Sequence, residues 1–249
     1  MVTLFSRRIN PGIEETALER GVKGFMEKIQ HDAFKNDQAL KNDISVTAEY
    51  LWTSAKSHKI VQGKELCSVL NAVIRDDVEN EIKAAILFFR SINTRCVRRN
   101  STGASMSEQS YPPNGETWRG GGFRQQYRSF FQSIKGHKYR VPGFLATTSK
   151  RSIAVGFLYK VDSKQPRALW RIMFDRRGEK HVEYRVRHMT FVSKTLIPEE
   201  GEYLFAPYSV FTLVSVRWSL EMDKPHQFTI RAAIDNKNED ENLPLAPWY

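Results

Sequence analysis

Three short segments in the second half of the chain hold residue types that could do chemistry, and they come in a fixed order. The first, Glu116 to Gly122 (ETWRGGG), ends an aromatic run in Arg119 and continues through three glycines. A guanidinium offers a planar fork to phosphate or carboxylate, and glycines let backbone amides come close to a ligand. The plainer reading is a hairpin. The segment is not G-x-G-x-x-G and no P-loop lysine follows, so neither nucleotide fingerprint applies. The second, Gly143 to Ser149 (GFLATTS), closes an apolar strand with Thr147, Thr148 and Ser149. These hydroxyls could orient a catalytic group, or they could mark a strand followed by a helix cap. The third, Pro198 to Glu202 (PEEGE), sets Glu200 and Glu202 two apart. On an extended strand both would face one side, and paired carboxylates can polarise hydroxyls and shift each other's titration. The alternative is a solvated acidic turn.

The elements that must position these residues divide by texture. Residues 12 to about 100 read as helical. Ile13 to Ile29 carry an apolar stripe at helical spacing, Ser45–Ala55 a weaker one, and Gly63–Asn80 a further one through Leu66, Val69, Leu70 and Val73. A last helix is predicted over Asp77–Arg98, burying Ile82, Ala85, Ile86, Phe89, Ile92 and Cys96. Its acidic start and basic end suit the macrodipole. Residues 100–116, rich in Ser, Gly and Pro, read as a linker. Beyond it, strands are predicted at Thr117–Arg119, Gly143–Thr147, Ala168–Phe174, Val182–Val186, Glu202–Ala206 and Val210–Trp218, with short helices at Phe123–Ile134 and Ser152–Tyr159. Helices followed by strands make an α+β chain whose sheet is mainly antiparallel. The acidic, Pro-rich end is expected to be poorly ordered apart from packing of Trp248 and Tyr249.

Composition bounds the function. At 249 residues, 41% hydrophobic and 27% charged, with 15 Phe, 9 Tyr and 5 Trp, the chain has material for a core and is not disordered. No stretch approaches the ~18 apolar residues of a spanning helix. The start, MVTLFSRRINPGIEE, lacks a signal-peptide core, so the expected location is the cytoplasm or a host cell into which the chain is delivered. Cys67 and Cys96 read as core thiols rather than a disulfide or a nucleophile. The six histidines show no metal spacing, and no metal is expected. The net charge is +10, and between Glu116 and Lys194 there are 18 Lys/Arg against 5 Asp/Glu, a local +13. Such a segment suits an anionic ligand, nucleic acid or an acidic protein surface, or is a solvated basic face.

Taken in order, an arginine at a strand end, a Ser/Thr run after an apolar strand, and Glu-x-Glu opening a strand resemble the R–S–E pattern of arginine-directed mono-ADP-ribosyltransferases. The run from Glu200 through Tyr203, Pro207 and Phe211 is similar to that family's pattern along its length, and Glu65–Val97 resembles the helices before its arginine strand. The resemblance covers roughly residues 60–220. It implies a split β-sheet core of ADP-ribosyltransferase type over 61–235, a helical extension over 1–60 and a tail over 236–249. It further implies NAD as substrate and an arginine-bearing protein as acceptor. By position, Arg119 would hold an NAD phosphate and brace the pocket. The backbone of Gly120 would bind the nicotinamide amide, and Phe157 would pack on its ring. Thr147, with Thr148 and Ser149 beside it, would orient Glu202. Glu202 would be the catalytic glutamate on the nicotinamide ribose, and Glu200 would engage the acceptor guanidinium. Residues from about Phe191 to Glu200 would form the substrate-recognition turn.

Two other readings stay open. The same residues could serve an NAD glycohydrolase with water as acceptor. The basic segment could belong to a catalytically inactive module binding protein or, less favoured, nucleic acid.

Overall fold

The last strand pairs back onto the middle of the sheet, so the chain's order in space differs from its order in sequence. The structure, a computed structural model, describes residues 52–53, 66–76, 79–96, 111–162, 164–193, 195, 197–221 and 223–247. The chain forms two compact units: Met1–Arg95 with Ser193–Ile197, and Cys96–Val192 with Pro198–Tyr249.

The first unit holds helix α1 (Leu66–Asp76) and all but the last residue of helix α2 (Glu79–Cys96), both close to the predicted bounds. Leu70 and Val73, three apart, are buried on one face of α1. In α2, Ile92 and Cys96 are buried as expected, whereas Ile86 is exposed. Trp52 and Thr53 are helical and buried, inside the predicted Ser45–Ala55 stretch. The stripe over Ile13–Ile29 lies outside the described residues.

The second unit carries β1 (Glu116–Gly122), α3 (Arg128–Ser133), β2 (Lys138–Val141), β3 (Leu145–Thr148), α4 (Arg151–Leu158) and β4 (Arg167–Met173). β5 (Met189–Phe191), β6 (Glu202–Phe205), β7 (Ser209–Arg217) and β8 (His226–Ala232) complete it. The eight strands form one sheet in the order β2-β7-β8-β4-β1-β3-β6-β5. All neighbours are antiparallel except β4 and β8. The α+β expectation holds.

The sheet buries two faces unequally. One face packs against α3 in an aromatic core that includes Phe123, Phe131, Tyr139, Phe211 and Phe228. Trp170 and Phe228, register partners on the parallel pair, stack at 3.8 Å between centroids and 17° between planes. Such stacking adds ~0.5–1.5 kcal/mol to their burial. The other face is covered at β1 and β4 by α4, through Ala154, Leu158 and Leu169 with Trp118 at the border. Gly120 makes this contact feasible: a Cβ there would lie 1.9 Å from the carbonyl oxygen of Ala154. Gly121, its neighbour, points to the opposite face, where a Cβ would meet nothing within 4 Å.

Several predicted elements differ. The expected strand Val182–Val186 is instead a 3-10 turn at Val182–Tyr184, and the strand falls later, at β5. The buried Arg185 guanidinium donates to the carbonyls of Gly178 and Glu179, which folds this stretch back on the preceding turn. The helix expected from Phe123 is cut to a 3-10 turn and α3, because the Phe123 amide donates to Pro166 O at 2.7 Å and its ring enters the core. Strands β2 and β8 were not expected. The tail is docked rather than loose. Arg140 N donates to Pro244 O and Ala246 N to Arg140 O, while Lys138 pairs with Glu239 at 2.6 Å. Ala246 is buried, and Trp248 and Tyr249 lie outside the described residues.

His188 ties three strand ends together. Its Nδ1 lies 2.9 Å from Ser209 Oγ and its Nε2 2.9 Å from Ala233 O. Burial pushes its pKa down to about 4. Burial also lowers His226, with Arg128 adding to the effect. The unfolded chain therefore binds the His188 proton between pH about 6.5 and 4 while the folded chain does not, so stability falls as pH drops through that window. Two tests follow. Denaturant unfolding at stepped pH should show His188 contributing about 3 kcal/mol of loss across the window, a slope absent in His188→Gln; equal slopes would contradict it. Gly120→Ala should lower unfolding free energy by about 2–3 kcal/mol, Gly121→Ala by under about 1 kcal/mol; equal costs would contradict the close approach of α4.

Candidate active site

Strands β1, β3 and β6 lie side by side, and each carries one of the three segments singled out in the sequence. β3 and β6 share a full ladder, from Leu145↔Phe205 to Thr148↔Glu202. Between β1 and β3 a single register pair remains, Trp118↔Thr148. The ladder between β1 and β3 thus stops at this pair, and Arg119 and Gly120 follow it on β1. Arg119, half-buried, spans the opening: its Nη1 donates to the Ala146 carbonyl at 2.8 Å. A charged donor on a neutral carbonyl is worth ~1.5–3 kcal/mol, so Arg119 holds β3 where ladder bonds stop.

The hydroxyl run is anchored to the turn before β6, each residue by a different bond. Thr147, buried, donates to Tyr203 O at 3.2 Å. Thr148, also buried, donates a very short bond to Glu200 O and accepts from Lys150 N at 3.0 Å. Ser149 N and Oγ donate to Gly201 O, at 3.0 and 3.4 Å. Directly opposed residues in a ladder share a face, so Thr148, not Thr147, stands with Glu202. Thr147 shares its face with Tyr203. Burial raises the Tyr203 phenol to about 12, keeping it neutral at physiological pH.

Glu200 and Glu202 are both half-buried, but they do not form the extended i, i+2 pair expected from their spacing. Glu200 ends the 3-10 turn Pro198–Glu200 and Glu202 begins β6. Gly201 between them has φ +53°, and a Cβ on it would lie 2.6 Å from Ser149 Oγ. The left-handed backbone favours glycine here, and a Cβ would also displace the Ser149 hydroxyl. The relation of the two carboxylates is therefore set by this turn and by its three bonds to Thr148 and Ser149. The Phe191 to Glu200 stretch includes Thr195, whose hydroxyl accepts from Ile197 N at 3.0 Å.

Gly120 lies on β1 against α4, and Phe157, on α4, is half-buried with the Lys160 ammonium 4.3 Å over its ring. Trp118 is a further residue of the site with no expected role in the sequence. Half-buried between Thr148 and Arg171 in register, it carries the guanidinium carbons of Arg151 and Arg171 at 5.5 and 5.8 Å from its ring. Its place before Arg119 was the available signal. Arg171 is held in turn by Glu116. The arrangement sets a carboxylate, hydroxyls anchored to the same turn, and an aromatic ring flanked by two guanidiniums along adjoining strands. Such a set can hold an anionic ligand and stabilise positive charge that develops beside the carboxylate. Among the described residues no group of three or more His, Cys, Asp or Glu could hold a metal ion, and no helix is long and apolar enough to cross a membrane.

No family model matches the sequence, and no curated protein does. Solved structures do match over nearly the whole length. The Vis toxin, an ADP-ribosyltransferase from Vibrio splendidus, is 13% identical with a TM-score of 0.53, over 96% of this chain and 94% of that one. The ADP-ribosyltransferase HopU1 of Pseudomonas syringae is 16% identical with a TM-score of 0.53, over 93% and 95%. Exoenzyme S from Pseudomonas aeruginosa, solved with human 14-3-3 protein beta and bound to Carba-NAD, is 13% identical with a TM-score of 0.53, over 91% and 94%. At these identities the likeness is one of fold: the chain folds as these ADP-ribosyltransferases do.

Proposed function

We propose that this protein transfers ADP-ribose from NAD to an arginine side chain of a protein acceptor, releasing nicotinamide. The observation that carries the reading is the register row through Trp118, Thr148 and Glu202, next to the Arg119 brace. It gathers the arginine, hydroxyl and glutamate segments onto three adjoining strands of an ADP-ribosyltransferase fold. NAD suits the setting. It is an anionic dinucleotide with two heteroaromatic bases, and the row offers a flanked aromatic ring and guanidiniums.

Breaking the bond between nicotinamide and ribose builds positive charge on the sugar. Glu202, held at the start of β6, is the carboxylate that stabilises this charge and bonds the ribose hydroxyl. Glu200, on the anchored turn, engages the acceptor guanidinium. An unperturbed guanidinium has a pKa above ~12, so a carboxylate that draws off a proton as the nitrogen attacks makes that attack feasible. The orienting role expected of Thr147 falls to Thr148, whose hydroxyl fixes the Glu200 carbonyl while its side chain opposes Glu202. Arg119 keeps the seam in place and is the cation for an NAD phosphate, Gly120 offers backbone groups to the nicotinamide amide, and Phe157 an aromatic edge. Ser149 secures the Gly201 carbonyl.

Labelled NAD and an arginine-bearing acceptor test these roles. Glu202→Gln should lower nicotinamide release and transfer together by about 10²–10³-fold, the effect of losing ~3–4 kcal/mol of charge stabilisation, with folding intact. Glu200→Gln should lower transfer to arginine by at least ~100-fold and spare part of the hydrolysis; equal loss of both would reject its acceptor role. Thr148→Val should lower kcat by more than Thr147→Val does, because it frees the turn carrying both glutamates; the reverse order would return the orienting role to Thr147.

A further inference from the structure

Resting on the reading above, one feature of the sheet bears on which arginines this protein can modify. The face of β1 that carries Trp118 continues across β4, β8 and β7 beyond the edge of α4. Register pairs run Glu202, Thr148, Trp118, Arg171, Thr229, Ser215 in one transverse row. Strands lie ~4.8 Å apart, so the row extends about 24 Å outward from the glutamate. That is within the footprint of an ordinary protein interface, ~800 Å² on each side. Flanking rows add Arg231, in register with Met173 and Thr212, and Arg217, in register with Gln227. Arg231, Arg217, Gln227 and Ser215 are exposed, and among the described residues no helix of the second unit packs on this part of the sheet.

The charge of this face is one-sided. Glu116 is taken up by Arg171, and Asp175, near Arg231, by Arg177. Arg217, Arg231 and Arg151 have no ion-pair partner among the described residues. A bare arginine approaching Glu200 and Glu202 across such a surface meets like charge. An arginine set among carboxylates meets complementary charge, which raises encounter rates and fixes orientation.

We propose that the uncovered β4–β8–β7 face is the acceptor-docking surface, and that it selects protein arginines whose surroundings on the acceptor are acidic. The occupant is a protein segment bearing Asp and Glu to one side of the target arginine, its carboxylates meeting Arg217 and Arg231 while the arginine reaches the two glutamates.

Synthetic peptides of about 20 residues, long enough to cover the row, test this. Each holds one arginine near its N-terminus and a flank of Asp/Glu, Ser/Gly or Lys. The whole protein should modify the acidic peptide with a kcat/KM about tenfold above the neutral one and further above the basic one, and the preference should shrink as salt rises. The double variant Arg217→Glu with Arg231→Glu should erase or invert the preference while modification of agmatine, which has no flank to dock, stays unchanged. Equal kcat/KM for all three peptides, or a variant that loses agmatine modification equally, would overturn the proposal. A single-stranded oligonucleotide that binds the face in a salt-dependent way, with no advantage for the acidic peptide, would give the surface to nucleic acid and likewise overturn it. Failure to modify agmatine in the wild type would instead reject the arginine-transferase reading itself, so the two failures are distinguishable.

Discussion

The site depends on a break in a sheet. β1 and β3 are neighbours that share one register pair, Trp118 with Thr148, and their ladder goes no further. Where a ladder stops between two partly buried strands, backbone groups must find other partners, since an unsatisfied buried carbonyl costs ~1–3 kcal/mol. Arg119 answers part of that demand by donating to Ala146 O. The same guanidinium that supports the fold therefore stands at the opening. A charged side chain that bridges two strands where their ladder stops holds both in one arrangement.

A second constraint is the turn from Pro198 to Gly201. Three bonds from Thr148 and Ser149 end on the carbonyls of Glu200 and Gly201, while Gly201 takes a conformation closed to most side chains. These bonds fix the main chain that carries Glu200 and leads into Glu202. The hydroxyl run and the glutamate pair are one assembly, although 50 residues separate them in the sequence. On the neighbouring strand, Trp118 adds an aromatic surface whose cationic neighbours extend along the open sheet.

What could be read from the sequence was local. The bounds of α1, α2, α4, β4 and β7 follow from apolar spacing and turn residues, and their predicted ranges lie within a few residues of the observed ones. The order of the arginine, hydroxyl and glutamate segments was also visible. What was not visible depends on pairing between distant parts. The alternation in Val182–Val186 suggested a strand, but Arg185 had carbonyls to satisfy nearby. The alternation in His226–Ala232 is as clear, yet its parallel pairing with β4 had no local sign. Which of Thr147 and Thr148 opposes Glu202 follows only from the register, because a slip of one residue moves a side chain to the other face. The seam itself could not be foreseen: no single segment encodes where two strands separate. Spacing alone also misjudged Glu200, since one glycine at positive φ ends the extended geometry that an i, i+2 rule assumes.

The most direct measurement follows the fate of both halves of NAD. The whole protein is incubated with NAD and agmatine, nicotinamide is quantified, and the agmatine is examined by mass spectrometry. The account predicts ADP-ribosyl-agmatine in equal amount to the nicotinamide released. Nicotinamide released with free ADP-ribose as the sole other product, or NAD left intact, would contradict it.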